Sequence, residues 1–127
     1  MRVFKNKWFN RWARNEGITN MDVCTATKQV TMGDVEADLG GYLFKKRVPR
    51  AGGGKSGGYR TIVGYKKGNR DRVIFLYGFP KNSRSNITER EREALSTAAA
   101  AFIAATDKHL ADLIAKGSIF ELECEKS

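Results

Sequence analysis

At 127 residues, with 41% hydrophobic and 29% charged side chains, the chain suits one domain with a single modest core and is too apolar for wholesale disorder. No apolar run approaches the ~20 residues of a membrane-spanning helix, and the basic start Met1–Gly17 lacks the apolar h-region of a secretory signal. The formal charge of +9 is concentrated: between Gly41 and Arg84 twelve Lys or Arg stand against one acid, Asp71, while the other residues carry eleven basic and thirteen acidic groups. A local balance of +11 beside −2 elsewhere defines one basic patch, and such a patch attracts a polyanion, RNA or DNA first.

In chain order, Arg2 to Phe4 reads as a short edge strand. From Lys5 to Asn15, Trp8, Phe9, Trp12 and Ala13 recur at helical spacing, with Lys7, Arg11 and Arg14 on the other side, and Gly17 supplies the left-handed cap. The Trp pair reads as core packing, favoured over base stacking. Thr19 with Asp22 forms a capping box that opens a second helix, running to about Met32 and stopped by Gly33. Gly40-Gly41 then breaks the chain ahead of a strand from Tyr42 to Val48. Tyr42, Phe44 and Val48 share one face and Leu43, Lys45 and Arg47 the other, with Lys46 interrupting the apolar side. Pro49 ends this strand, having no N–H to donate.

Arg50 to Gly58 is a glycine loop carrying Lys55, followed by a strand from Tyr59 to Lys66 with Arg60 opposite Tyr59, Thr61, Val63 and Tyr65. Lys67-Gly68-Asn69 is a hairpin turn. The run VIFLYGF within Asp71–Phe79 is apolar on both parities, which marks a central strand covered on both sides. After Pro80 and the polar turn Lys81–Asn86, Thr88 and Glu91 make a second capping box, the cap alone contributing about 1 kcal/mol. Leu95, Ala98, Ala99, Phe102 and Ile103 form the stripe of the helix behind it. A shorter helix from about Lys108 to Lys116 packs Leu110, Leu113 and Ile114, with His109 beside the stripe as a surface or packing residue. The tail alternates Phe120, Leu122 and Cys124 with Glu121, Glu123 and Glu125, which fits a half-buried strand or an acidic tail against the basic patch. The expected architecture is α+β in one domain, residues 1–127: a small antiparallel sheet flanked by N-terminal and C-terminal helices.

Cys24 and Cys124 stand 100 residues apart without neighbouring ligands, so two buried thiols in a reducing cytosol are favoured over a disulfide. One histidine and no Cys pair speak against a zinc site, and no metal or cofactor is expected. AGGGKS imitates a phosphate-binding loop, but Pro49 stands where the motif needs glycine, and the segment after Ser56 reads as a strand and not as the required helix.

Lys45, Arg47 and Arg60 are expected on one face of adjacent strands, with Lys81 and Arg84 at its rim. Such a surface suits a phosphodiester, whose charge grows toward the transition state. RNA cleavage needs a base for the 2′-hydroxyl, cations for the phosphorane and an acid for the leaving 5′-oxygen, and none of these has to be a metal or a histidine. A lysine crowded by cations has a lowered pKa and can serve as base or acid, whereas arginine stays charged and grips phosphate bidentately. Binding of backbone phosphates without catalysis is the alternative that the same residues allow.

The ordered set Lys45–Val48 (KKRV), Gly54–Arg60 (GKSGGYR) and Val73–Thr88 (VIFLYGFPKNSRSNIT), with FKNKWFNRWAR and ADLGG ahead of it, resembles the RelE/ParE superfamily of type II toxins, RelE/HigB-like branch. The resemblance implies a cytoplasmic, ribosome-dependent, metal-independent mRNA endoribonuclease that inhibits translation and is neutralised by an antitoxin, commonly of helix-turn-helix type. It implies catalytic roles for Lys45, Arg47, Arg60, Lys81 and Arg84 and an RNA contact from Asn82; Lys46, Arg50 and Lys55, which the glycine loop lets reach a ligand backbone, are expected RNA contacts of the basic patch. Asn82 stands where the family's basic turn often has arginine. The tyrosine with which some members orient the nucleotide falls near Thr88 and is missing; Tyr65 and Tyr77 are its possible substitutes, both read here as core. A gyrase inhibitor of the ParE branch shares the fold, so it and a non-catalytic RNA-binding module remain the alternatives.

Overall fold

The strand that is apolar on both parities sits inside the sheet. In the computed structural model, which describes residues 1–50, 57–69 and 71–124, the elements run β1 (Arg2–Asn6), α1 (Lys7–Glu16), α2 (Asn20–Thr31), β2 (Ala37–Gly40), β3 (Leu43–Pro49), β4 (Gly58–Gly64), β5 (Arg72–Pro80), α3 (Glu89–Ala104), α4 (Asp107–Ala115) and β6 (Ile119–Leu122). The strands form one six-stranded sheet in the order β2-β3-β4-β5-β1-β6. Neighbours are antiparallel except β1 and β5, which run parallel from Arg2↔Arg72 to Lys5↔Phe75.

Both faces are covered, and β5 feeds both cores. Val73 and Phe75 pack with Phe9, Ala13, Val23, Ala26 and Val30 of α1 and α2, while Ile74, Leu76 and Phe79 pack with Ala99, Phe102 and Leu110 of α3 and α4. The α+β class and the flanking of a small sheet by N-terminal and C-terminal helices are thus found as expected. So are the capping boxes Thr19–Asp22 and Thr88–Glu91, and Gly17 closes α1 at φ +78°. No helix among the described residues is long and apolar enough to cross a membrane.

Two strands differ from expectation, and the tail takes the first of its two expected forms, a half-buried strand. β1 is interior, not an edge: Val3 and Phe4 are both buried, on opposite faces, and three residues are too short a run to reveal that. β2 is the edge instead, turning into β3 through Gly40, Gly41 and Tyr42, all at positive φ. Gly41 lies against α3, where a Cβ would collide with the Ser96 side chain. The tail forms β6 on the opposite edge, with Arg2 on Glu121 at 2.9 Å, so its acids lie across the sheet from β2 and β3. Glu125 lies outside the described residues.

The cysteines are also a correction. Cys24 of α2 and Cys124, just past β6, are joined in a disulfide with Cα atoms 5.6 Å apart. The antiparallel course of β6 along β1 carries the chain end back to α2, a proximity that a separation of 100 residues hides. Closing so long a loop restricts the unfolded chain strongly. Reduction, or Cys24→Ser, is therefore expected to cost about 2–4 kcal/mol, lowering Tm by on the order of 10 °C. Thermal melts with and without reductant read this, and equal midpoints would contradict it.

Candidate nucleic-acid interface

β3 and β4 pair without a break from Leu43↔Gly64 to Pro49↔Gly58, so strict alternation decides which side chains share a face. β5 continues the ladder with Arg60 opposite Phe79 and Ile62 opposite Tyr77. Two cross-strand rows result, Arg47–Arg60–Phe79 and Lys45–Ile62–Tyr77, on the face where α3 packs farther along. Arg47 is exposed, while the Lys45 and Arg60 side chains each keep only 11% of their surface.

What covers them is a carboxylate. Glu36 stands one residue before β2, its N–H donating to the Lys45 carbonyl at 2.8 Å. Its carboxylate accepts from Arg60 Nε at 2.7 and 2.8 Å and lies 3.3 Å from Lys45 Nζ. Partial burial pushes the Glu36 carboxyl up, but hydrogen bonds and charge from Arg60 and then Lys45 outweigh it and hold the group below its ordinary range. Arg60 Nη1 is buried and has no hydrogen-bond partner among the described residues. A guanidinium N–H left unpaired beside an ionised carboxylate is a donor suited to an incoming phosphate oxygen. Lys45 Nζ also donates to the Ser85 carbonyl at 3.2 Å, tying the turn after β5 to this face.

Arg84 closes the far side. Its guanidinium lies 5.0 Å from the Phe79 ring centroid and 5.5 Å from that of Tyr77, and Nη2 donates to both Glu91 oxygens at 2.8 Å. Arg84, and then the Thr88 backbone N–H, hold Glu91 down at about 2. Because the folded value lies below the ordinary 4.5, this contribution to stability is complete above pH 4.5 and is lost as pH falls toward 2. Both side chains are about a third exposed, at 32% and 31%, so solvent screens the pair. Glu91→Gln is expected to lower stability by at most about 1 kcal/mol at pH 7, with the parent and variant curves converging between pH 4.5 and 2 in denaturant titrations. A gap that widens in acid would refute this.

The other expected contacts divide. Lys81 and Asn82 are exposed in the turn after β5, and the Lys81 N–H donates to the Gly58 carbonyl at 2.9 Å. Arg50 is exposed just past β3. Lys46 points the other way: it is 6% exposed on the α2 side, with Nζ donating to the Asp34 carbonyl at 2.9 Å and 3.5 Å from the Asp34 carboxylate. Alternation removes it from the face that Lys45 and Arg47 share, so the RNA contact expected of it is not built there. Lys55 lies outside the described residues. Since strand β4 begins at Gly58 and no helix follows AGGGKS, the phosphate-loop imitation is set aside.

Two features of this surface escape sequence reasoning. Glu36 is one. The other is aromatic: Tyr77 is half-buried on the cationic face, whereas Tyr65 is 5% exposed in the opposite core. Trp8 reaches over to Tyr77 with ring centroids 4.5 Å apart and remains 44% exposed, so only Trp12 of the Trp pair is core, seated where a Gly78 Cβ would be.

Comparison with curated proteins finds no match. The family described as "RelE toxin of RelE / RelB toxin-antitoxin system" matches residues 1–122, nearly the whole chain and every element of the sheet. A mixed sheet between two helical pairs, a cationic face on its β3–β5 half and this match lead to one conclusion: the chain belongs to the RelE toxin family of toxin–antitoxin systems.

Proposed function

We propose that the chain is an endoribonuclease that cleaves mRNA in the ribosomal decoding site, works without a metal in the cytoplasm, and is silenced by a helix-turn-helix antitoxin. The observation that carries this reading is Arg60, flanked by Arg47 and Lys45, paired through Nε to an ionised carboxylate, with a buried Nη1 that has no hydrogen-bond partner among the described residues. A scissile phosphate enters the row Arg47–Arg60–Phe79, where Arg60 and Lys45 take its non-bridging oxygens and release Glu36. Glu36 accepts the 2′-hydroxyl proton, the 2′-oxygen bonds to phosphorus, and the bond to the 5′-oxygen breaks. The developing charge falls on Arg60, Lys45 and Arg47. Lys81, at the rim, supplies the proton to the leaving 5′-oxygen. The products are a 2′,3′-cyclic phosphate and a 5′-hydroxyl.

Arg84 has a different part in this reading. Its charge is engaged by Glu91, so it shapes the aromatic floor under the substrate more than it neutralises phosphate. Family membership supports the antitoxin directly; the ribosome and the type of antitoxin rest on the resemblance of the quoted motifs. Primer extension on cellular mRNA after brief induction tests the whole. Discrete new 5′ ends are expected, unchanged in chelator-treated extracts, and intact transcripts with broken DNA would point to the gyrase alternative.

A further inference from the structure

Beyond the phosphate chemistry, the cationic face continues into an aromatic ladder that no cleavage step uses. Arg84 lies over Tyr77, Tyr77 meets Trp8 at 4.5 Å with the ring planes 33° apart, and Trp8 meets Trp12 at 5.7 Å with the planes 17° apart. Nearly parallel rings with centroids that far apart are displaced sideways, so Trp12 covers only part of the Trp8 face. Trp8 keeps 44% of its surface open to solvent.

Its position is specific. β5 extends past its pairing with β1, which ends at Lys5↔Phe75, and the start of α1 wraps that free stretch, with Asn6 Nδ2 donating to the Leu76 carbonyl at 2.9 Å. Trp8 therefore reaches round the strand to Tyr77, which sits in the same cross-strand row as Lys45 and one row from Arg60 on that face. Lys7 and Arg11, both exposed, flank Trp8 on α1, and α1 has no acid in its first turn.

An exposed indole among cations, continuous with a phosphate-binding surface, has the makings of a single-stranded nucleic-acid site: charge tracks the backbone and a π-face takes a base of any sequence. We infer that Trp8, propped by Tyr77, is a stacking platform for an RNA base next to the scissile phosphate, a positioning element that holds the strand in register over Arg60. This rests on the ribonuclease reading. A protein partner would favour a wholly apolar rim, whereas beyond Trp12 and Tyr77 the exposed residues of α1 next to Trp8 are Lys7 and Arg11.

The test compares two uncleavable ligands of equal charge, a 2′-O-methyl hexaribonucleotide and its abasic counterpart, by fluorescence anisotropy and tryptophan quenching. The parent should bind the base-bearing oligomer about tenfold or more tightly over the abasic one and show quenching. Trp8→Ala should lose that preference and the quenching and keep its affinity for the abasic oligomer, with a thermal midpoint lowered by the lost ring contacts to Tyr77 and Trp12. Trp8→Phe should restore most of the preference, and serves as the readout should the alanine variant fold poorly. Parent-like discrimination in Trp8→Ala overturns the platform alone, as does equal loss toward both oligomers, or an indole that responds to the antitoxin and not to RNA. A parent that binds neither oligomer even when it is held in the decoding site of a ribosome, or binds both regardless of Arg60→Ala, overturns the ribonuclease reading itself.

Discussion

Arg60→Ala is expected to lower the rate of RNA cleavage about 100- to 1,000-fold, the usual cost of removing a donor aimed at developing charge, and to abolish growth arrest on induction. Arg60 stands in the middle strand of the two rows, bonded through Nε to Glu36 and presenting Nη1 unpaired. The loss should be larger in kcat/KM than in kcat, because Arg60 grips the phosphate on binding and meets still more charge as the 2′-oxygen attacks. Arg60→Lys should recover part of the activity: it restores the charge but not the planar fork that spans a carboxylate and a phosphate at once. Folding should survive, since Glu36 keeps Lys45 as a partner and its own side chain is 33% exposed. Adding Lys45→Ala removes the second cation and should leave only background cleavage. The double variant with parental toxicity and an unchanged Tm would end the nuclease assignment.

Much of this surface could be read from the chain because β3 and β4 are regular. Alternation along Leu43–Pro49 and Gly58–Gly64 puts Lys45, Arg47 and Arg60 on one face and Lys46 on the other, and the ladder has no bulge between them. The helices were equally plain, since Thr19–Asp22 and Thr88–Glu91 are local signals that need no tertiary information. What sequence cannot supply is contact across elements. Glu36 stands one residue outside β2, where alternation no longer applies; extended inward, the pattern would group it with Asp38 and away from Arg60. Trp8 shares its helical stripe with Phe9, Trp12 and Ala13, and only the packing of α1 over the projecting end of β5 separates the exposed indole from the buried one. The interior place of β1 depends likewise on a parallel pairing with a segment seventy residues on, and the disulfide on the antiparallel pairing of β1 with β6.

Glu36→Gln decides what that carboxylate does. If Glu36 takes the 2′-hydroxyl proton, the change should slow cleavage by a further 100- to 10,000-fold, the range for loss of a general base, while binding of the uncleavable oligomer stays the same or tightens. A carboxylate that merely plugs the cationic face predicts the reverse, with tighter binding and cleavage as fast as the parent's. The pH profile adds a second discriminator. In the free protein Arg60 and Lys45 hold the Glu36 carboxyl below its ordinary range, so the acid limb of kcat/KM should lie below pH 4.5. Once phosphate engages both cations, burial is less opposed, and the carboxyl pKa rises toward or past its ordinary value. The acid limb of kcat should therefore sit at higher pH than that of kcat/KM, and Glu36→Gln should have neither limb. Single-turnover cleavage of mRNA on programmed ribosomes, extended into acid with a short oligoribonucleotide at enzyme excess, reads both. Coincident limbs in the parent, or the same limbs in the glutamine variant, would assign the base elsewhere and leave Glu36 as a counter-ion to Arg60.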